Sequence, residues 1–283
     1  MTILRRITIA LLTVALLAPG MARAAYTTNF SDQWWIENES GWGASVLQQS
    51  DVLFIDLFVY GPDSKPTWFT AAAFFQGNAP AGHVLFTGDL YSTTGPYYGG
   101  SFNSGAVGYV KVGTLTFDAD TVNTARLSYS VNGVPIVKNV TRQTWRNENI
   151  GGQYYGGLVY DQTSCTDALD NGHFEIFALM QFTHLADNTV TINAQITSGS
   201  RNGIPLLVPA GLVFTMSGKY TQSGHMGQMQ GTSSVIIPGE PPDTSVVNLF
   251  EIERSISGIT GRYNSVDDKG GCRSSGHLGG VLR

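Results

Sequence analysis

The chain runs to 283 residues with a formal net charge of −5, and only 13% of its residues are charged, about half the usual globular share. Its 42% hydrophobic and 11% aromatic content is too rich for a disordered segment, and its 34 glycines follow no Gly-X-Y period, which excludes a collagen-like rod. Lys, Glu and Arg are scarce while Gly, Thr, Ser, Val, Tyr and Phe are common, a profile that favours β-structure.

Residues 1–24 read as a secretory signal peptide. Arg5 and Arg6 supply the positive start, Ile7 to Leu17 an apolar run too short to persist as a spanning helix, and Ala22-Arg23-Ala24 a small-residue cleavage site. No Cys follows the run, so a lipoprotein anchor is not expected. Cleavage after Ala24 removes three of the 16 basic residues and none of the 21 acidic ones, which takes the net charge from −5 to −8. An acidic mature chain is a poor nucleic-acid binder, because phosphate contacts need clustered Lys and Arg. No later stretch of about 18 uncharged apolar residues predicts a transmembrane helix.

A first unit, 25–147, is expected to be built of strands over Gly41–Gln49, Asp51–Tyr60, Thr67–Phe75, His83–Tyr91, Val107–Phe117, Arg126–Asn132 and Val134–Trp145. Along the second of these, Leu53, Ile55, Leu57 and Val59 alternate with Val52, Phe54, Phe58 and Tyr60. Leu127, Tyr129 and Val131 alternate with polar residues, and Asn132-Gly133 then predicts a two-residue hairpin turn, because a type I′ turn needs positive φ at both centres. The polar stretch Arg146 to Gly152 marks a boundary.

A second unit, 150–283, offers eight further strands: Gln153–Gln162, Phe174–His184, Thr189–Ser198, Leu212–Gln222, Met226–Ile237, Val246–Glu253, Gly258–Tyr263 and Cys272–Leu282. Pro238 to Pro242 must be a loop. Cys165 closes the first of these strands and Cys272 opens the last. In a closed antiparallel barrel of even strand number those two ends are neighbours, so a disulfide is expected across the seam. The loop it closes, about 107 residues, corresponds to roughly 4–5 kcal/mol of chain entropy. A sandwich accommodates the same bond. The fold class expected is therefore all-β, with two consecutive antiparallel meander barrels or sandwiches, the second clamped by the disulfide.

The most distinctive stretch is Trp34-Trp35-Ile36-Glu37-Asn38-Glu39-Ser40-Gly41-Trp42-Gly43. Its tryptophans are either a plug at a barrel end or an aromatic platform for a ligand. The pattern WWxxxESGWG, followed by Asp51-Val52-Leu53-Phe54, Phe58-Val59-Tyr60 and Lys65-Pro66-Thr67-Trp68, resembles an uncharacterised exported family of proteobacteria. The tail, with Tyr220 to Gly227, Phe250-Glu251-Ile252-Glu253, Gly261-Arg262 and Gly276 to Val281, is similar to the same proteins, so the resemblance covers most of the mature chain. It implies a grouping and no activity. Asp56 departs from it, since an uncharged residue is expected inside that apolar strand. Either this carboxylate orients a ligand, or its face is wet, or Arg126 or Lys111 pairs with it.

Support for catalysis is thin. No G-x-S-x-G nucleophile elbow occurs. Glu37 with Glu39, and Glu251 with Glu253, lie two apart and would share a strand face, the arrangement a carboxylate hydrolase needs. His173 with Glu175, and His225 with Met226 and Met229, carry metal-ligand chemistry without a diagnostic spacing, and the aspartates at 118–120 and 167–170 do not match a calcium loop. No cofactor and no metal are expected. The function expected is an exported, non-catalytic binding or accessory protein whose ligand is a small molecule, a glycan or a protein. The candidate ligand-binding residues are Trp34, Trp35, Trp42, Asp56, Trp68, Tyr97 and Tyr98. A carboxylate hydrolase and a surface or outer-membrane structural protein are the alternatives.

Overall fold

A computed structural model describes residues 28–239, 241–267 and 271–283; the signal segment expected at 1–24 lies outside these. The chain forms two consecutive closed antiparallel eight-strand barrels, which decides between the barrel and the sandwich. The first contains β1 (Asp32–Trp35), β2 (Gly43–Gln49), β3 (Val52–Tyr60), β4 (Pro66–Gln76), β5 (Val84–Thr94), β6 (Gly108–Ala119), β7 (Thr124–Val131) and β8 (Val134–Arg142), each paired with the next. The sequence reading starts the first strand at Gly41. The structure adds β1 before it, four residues too short for an alternation to register, which closes the ring by pairing Trp34 with Ala44 of β2 and Arg142 of β8. Asn132 and Gly133 have φ of 50° and 84°, the positive pair that a type I′ turn requires.

Alternation fills this barrel. Leu53, Ile55 and Leu57 of β3 point inward, with Ala71 and Ala73 of β4, Phe86 and Leu90 of β5, Leu115 and Phe117 of β6, Leu127 of β7 and Val140 of β8. An interior of eight strands is narrow enough for inward side chains to fill it, as they do here. Trp34 and Phe30 plug one end: Trp34 lies edge-on to Phe117 with centroids 5.0 Å apart, and its Nε1–H donates to the Phe30 carbonyl at 3.0 Å. Phe30 in turn packs edge-on against Phe86 and Phe117.

The second barrel contains β9 (Gly152–Thr163), β10 (Gly172–His184), β11 (Thr189–Arg201), β12 (Ile204–Pro205), β13 (Val213–Ser223), β14 (Met226–Ile236), β15 (Asp243–Arg254), β16 (Gly258–Asp267) and β17 (Arg273–Leu282). Eight of these close a ring through the β10–β11 and β17–β9 pairings, while β12 only extends the β11 hairpin. The Cys165–Cys272 disulfide spans 107 residues at the end of the β9–β17 seam, beside the Thr163↔Arg273 pair.

The two barrels begin alike. Asn29-Phe30-x-x-Gln33-Trp34-Trp35 and Asn149-Ile150-x-x-Gln153-Tyr154-Tyr155 lie 120 residues apart. In both, the Asn side chain accepts from the backbone two residues on, and a plug aromatic donates to the carbonyl four residues back, Tyr154 Oη–H reaching Ile150 at 3.0 Å. In both, the Gln carbonyl accepts from the residue just after the last strand, Gln143 at 2.7 Å and Arg283 at 2.8 Å. The chain is therefore a structural repeat, a relation that the sequence reading missed because the repeated residues are few and their aromatic types differ.

The plugged ends face each other across a polar joint. The tight turn of the β13–β14 hairpin brings Gly224, at φ 60°, against β1, where a β-carbon would collide with the Asp32 carboxylate. The next residue, His225, donates its backbone N–H to Asp32 Oδ2 at 3.0 Å and places Nδ1 2.8 Å from the same oxygen. Arg142 reaches Asp32 at 3.2 Å and donates to the carbonyls of Val122, Asn29 and Ser31, so four of the five N–H groups of a buried guanidinium are hydrogen-bonded. Its charge also lies 4.9 Å from the Trp34 ring centroid. Gln222 binds the connecting segment, donating to the Arg146 carbonyl and accepting from the Glu148 N–H.

Asp32 holds His225 protonated, with its pKa raised from 6.5 to about 9; Glu253, 3.6 Å from Nε2 and too distant for a good hydrogen bond, adds a weaker pull. Burial raises the Asp32 pKa, but hydrogen bonds from His225 and Arg142 outweigh it, so the carboxyl titrates below its ordinary range.

Two outcomes are expected. Trp34→Ala should cost about 3–5 kcal/mol in urea unfolding, and Trp35→Ala, at a half-buried position, clearly less. Because the His225 pKa is raised on folding, its contribution is complete below pH 6.5 and lost as pH rises through about 9. Thermal unfolding of the whole chain should therefore weaken between those values, and His225→Gln should flatten that decline.

Candidate functional site

The end of the second barrel remote from the joint, where β9, β11, β14 and β16 finish, opens into a lumen of about 470 Å³. The inward positions grade in polarity from mouth to floor. Along β15 they read Asp243, Ser245, Val247 and Leu249; along β16, from its end, Asp267, Ser265 and Tyr263; just before and along β17, Cys272, Ser274, Gly276 and Leu278. Strand β14 contributes Val235 and Ser233, and β9 contributes Gln162, Tyr160 and Leu158. Neighbouring registers set these side by side: Gln162 opposite Ser274, Ser265 opposite Ser274, Ser245 opposite Asp267, and Ser233 opposite Ser245. The result is a carboxylate rim, a hydroxyl belt and an apolar floor. Gly231 and Gly276 contribute no side chain to the interior, and a β-carbon at either would strike the neighbouring strand's backbone.

Aromatic rings form one wall. Tyr160 stacks on Phe174 with centroids 4.9 Å apart and meets Tyr263 edge-on at 5.7 Å. Burial pushes the Tyr160 phenol up to about 12 and raises that of Tyr263 as well, so both remain neutral donors. Ser274 donates to Gln162 at 3.2 Å. The site resembles ligand pockets in general: a concavity within the usual 300–1,000 Å³, mostly apolar, with a few convergent polar groups.

The residues singled out from sequence lie on the other barrel and divide into groups. Trp34 is fully buried and cannot form part of an exposed platform. Trp35 is half-buried opposite Thr141. Trp42 packs against the core, donates Nε1–H to Glu39 at 2.9 Å and lies under the Lys138 ammonium. Asp56 and Trp68 meet Phe58, Tyr60 and Pro66 in a shallow outer groove of about 390 Å³. Tyr97 and Tyr98 are exposed on the β5–β6 loop and contact each other. All but Trp34 and Trp35 belong toward the end of the first barrel remote from the joint, since β3, β5 and β7 finish there.

Neither Arg126 nor Lys111, the partners expected for Asp56, pairs with it among the described residues, and its face is wet, as the alternative reading expects. Lys111 pairs with Asp89 at 2.7 Å, and Asp56 stands on the wet outer face between Ser45 and Thr70, with exposed Phe54 and Phe58 on either side.

Three of the four paired carboxylates are engaged elsewhere, and Glu37 is exposed. Glu39 binds Trp42 and Lys138. Glu251 and Glu253 do not share a regular strand face, because a bulge with Glu251 at φ 51° turns Ile252 into the core between them. Glu251 accepts from Thr28 and Arg262, and Glu253 faces His225. Among the metal candidates, His173 pairs with Asp161, Glu175 accepts from Ser200, and His225 is held by Asp32, while Met226 and Met229 are buried. Among the described residues no group of three or more His, Cys, Asp and Glu side chains is placed to hold a metal ion.

No protein-family model matches the chain, and no curated protein matches it. The lumen residues were readable in part from sequence, since Asp243-x-Ser245-x-Val247-x-Leu249 is a strand whose inward face changes polarity along its length. That pattern becomes a site only when closure converges eight such faces. Because the disulfide ties the seam at this rim, Cys165→Ser with Cys272→Ser should cost roughly 3–5 kcal/mol in urea unfolding, with the loss confined to the second barrel.

Proposed function

We propose that the protein is an exported, non-catalytic binding protein that takes a small molecule into the lumen of its second barrel. The observation that carries this reading is the contrast between two barrels of one design: side chains pack the first solid, and the second retains an open cup of about 470 Å³ with a hydroxyl belt over an apolar floor. The signal-like segment 1–24 and the Cys165–Cys272 disulfide support export. A structural disulfide and, among the described residues, the lack of a helix long and apolar enough to cross a membrane are compatible with it. The grouping with exported proteobacterial proteins through WWxxxESGWG belongs to the same proposal.

A second reading rests on the outer groove of the first barrel. Trp68 is half-exposed beside Phe58 and Tyr60, and Asp56 has no ion-pair partner among the described residues. Aromatic faces next to a free acceptor suit a glycan.

Titration of the mature chain with the neutral apolar dye Nile red separates the two readings. The dye should brighten and saturate at one equivalent, Val247→Trp, which fills the lumen, should abolish that response, and Trp68→Ala should leave it intact. An unchanged response in the filled variant would remove the lumen reading.

A further inference from the structure

Strand β4 turns Phe69, Ala71, Ala73 and Phe75 to the core of the first barrel, so Trp68, Thr70, Ala72 and Phe74 face outward. Trp68 and Phe74 are each about half exposed, and a rise of about 3.3 Å per residue sets them about 20 Å apart along the strand. Each ring marks a groove. Trp68 shares the outer groove of about 390 Å³ with Asp56, Phe58 and Tyr60, and Phe74 shares a second, of about 470 Å³, with Thr87, Asp89 and Tyr91. Thr70 joins the two, because the register places it between Asp56 of β3 and Tyr91 of β5. The outer face of β3, β4 and β5 is therefore one strip, with aromatic rings toward both ends and polar groups between them.

The polar groups at the middle of the strip are unpartnered. Asp56, flanked along β3 by exposed Phe54 and Phe58, forms no ion pair among the described residues. Opposite it, Thr70 Oγ1 is buried and has no hydrogen-bond partner among the described residues. Buried polar atoms are normally satisfied, so this hydroxyl is an exception that a ligand would remove. Charge elsewhere on the strip is balanced, since Asp89 pairs with Lys111 at 2.7 Å. Among the described residues neither groove is lined by Lys, Arg or His. A second copy of this face would bring another Asp56 and no cation, sealing two unpaired carboxylates into an apolar interface. An anionic guest meets the same objection.

Resting on the outer-groove reading above, we infer that this strip is an extended site for a neutral, β-linked oligosaccharide of gluco configuration, lying along β4 from Trp68 to Phe74. The two flat faces of such a sugar ring carry C–H bonds, which pack on aromatic rings, and its equatorial hydroxyls project from the edges. Those hydroxyls donate to Asp56 without asking it to give up its charge, and they meet Thr70 once rotation about χ1 turns Oγ1 to the face. A β-linked chain of these sugars is extended and flat, so it follows a strand, and the separation of the two rings is the span of several sugar units. The strip belongs to the first barrel and is independent of the lumen.

The test is calorimetric titration of the mature chain with cellohexaose, cellobiose and maltohexaose. Cellohexaose reaches both grooves at once and should bind at least about tenfold more tightly than cellobiose, which reaches one. Maltohexaose, whose α-linkages coil the same sugar away from a flat strand, should bind more weakly than cellohexaose. Trp68→Ala and Phe74→Ala should each weaken cellohexaose about tenfold, the loss of one stacked ring. Val247→Trp, which fills the lumen, should leave its affinity unchanged, as should 0.5 M sodium chloride, because the ligand is neutral. Equal affinities for cellohexaose and cellobiose, with Phe74→Ala silent, would overturn the extended site and leave the single groove at Trp68 standing. Equal binding of maltohexaose would overturn the β-linked assignment. No binding of cellohexaose would overturn the inference and the groove reading together, while the lumen reading would stand on its own dye titration. Cellohexaose binding lost in Val247→Trp but kept in Trp68→Ala would move the sugar to the lumen and defeat the inference. The comparison of chain lengths and linkages needs only the native chain and decides the matter should a variant fold poorly.

Discussion

Closing eight antiparallel strands into a ring fixes the interior at a width that one layer of side chains from each strand can fill, so the inward half of each strand decides what a barrel can do. In the first barrel the buried positions are mostly Leu, Ile, Phe, Ala and Val, with Trp34 closing one end, and the interior becomes a core. In the second the same positions change character along the axis. Near the joint they are Tyr154, Met180, Phe182, Tyr220 and Met229, and that end is solid. Toward the far end they become serines, Gln162 and three aspartates, which hold water or a ligand better than they hold one another. The lumen is the consequence of replacing apolar volume by small polar side chains on one half of an otherwise ordinary barrel.

The plug residues make that asymmetry possible. Trp34 and Tyr154 occupy the third position of the first strand in their barrels, and each ties back to the carbonyl four residues earlier. With one end of each barrel sealed, the sealed ends can be pressed together through a joint that is polar instead of greasy. Asp32 is the centre of that joint: it receives two donors from His225 and one from Arg142, and the close approach depends on the missing side chain at Gly224. The arrangement leaves the remote ends of both barrels free, the aromatic groove at one and the graded cup at the other.

Much of this architecture was legible in the chain. Strict alternation in 51–60 and 126–132, the Asn132-Gly133 turn and the placement of the two cysteines at the ends of the first and last strands of the second unit all follow from period-two geometry and antiparallel closure. Short or irregular pieces were not legible. Strand β1 has four residues, and the bulge at Glu251 breaks the alternation that would have put two glutamates on one face. The internal repeat rests on Asn, Gln and a plug aromatic in a matched frame, too few positions to stand out before the hydrogen bonds that define them are known.

The candidate sites divide along the same line. Trp34, Trp35 and Trp42 drew attention because tryptophan is rare and three lie close together, yet their adjacency says nothing about which ring faces inward; strand pleating sent Trp34 to the core and left Trp35 and Trp42 only half-buried. The lumen drew none, because serine and aspartate at alternating positions look like any solvated strand face. The sequence by itself determined the β-strands, their turns, the sidedness of each strand and the disulfide seam, since these depend on neighbours one to ten residues apart or on the order of the strands. Only the tertiary structure decided which face of each strand was inside, and that residues as distant as Tyr160, Ser233, Asp243 and Tyr263 line one space, because that convergence is produced by the curvature and closure of the whole sheet.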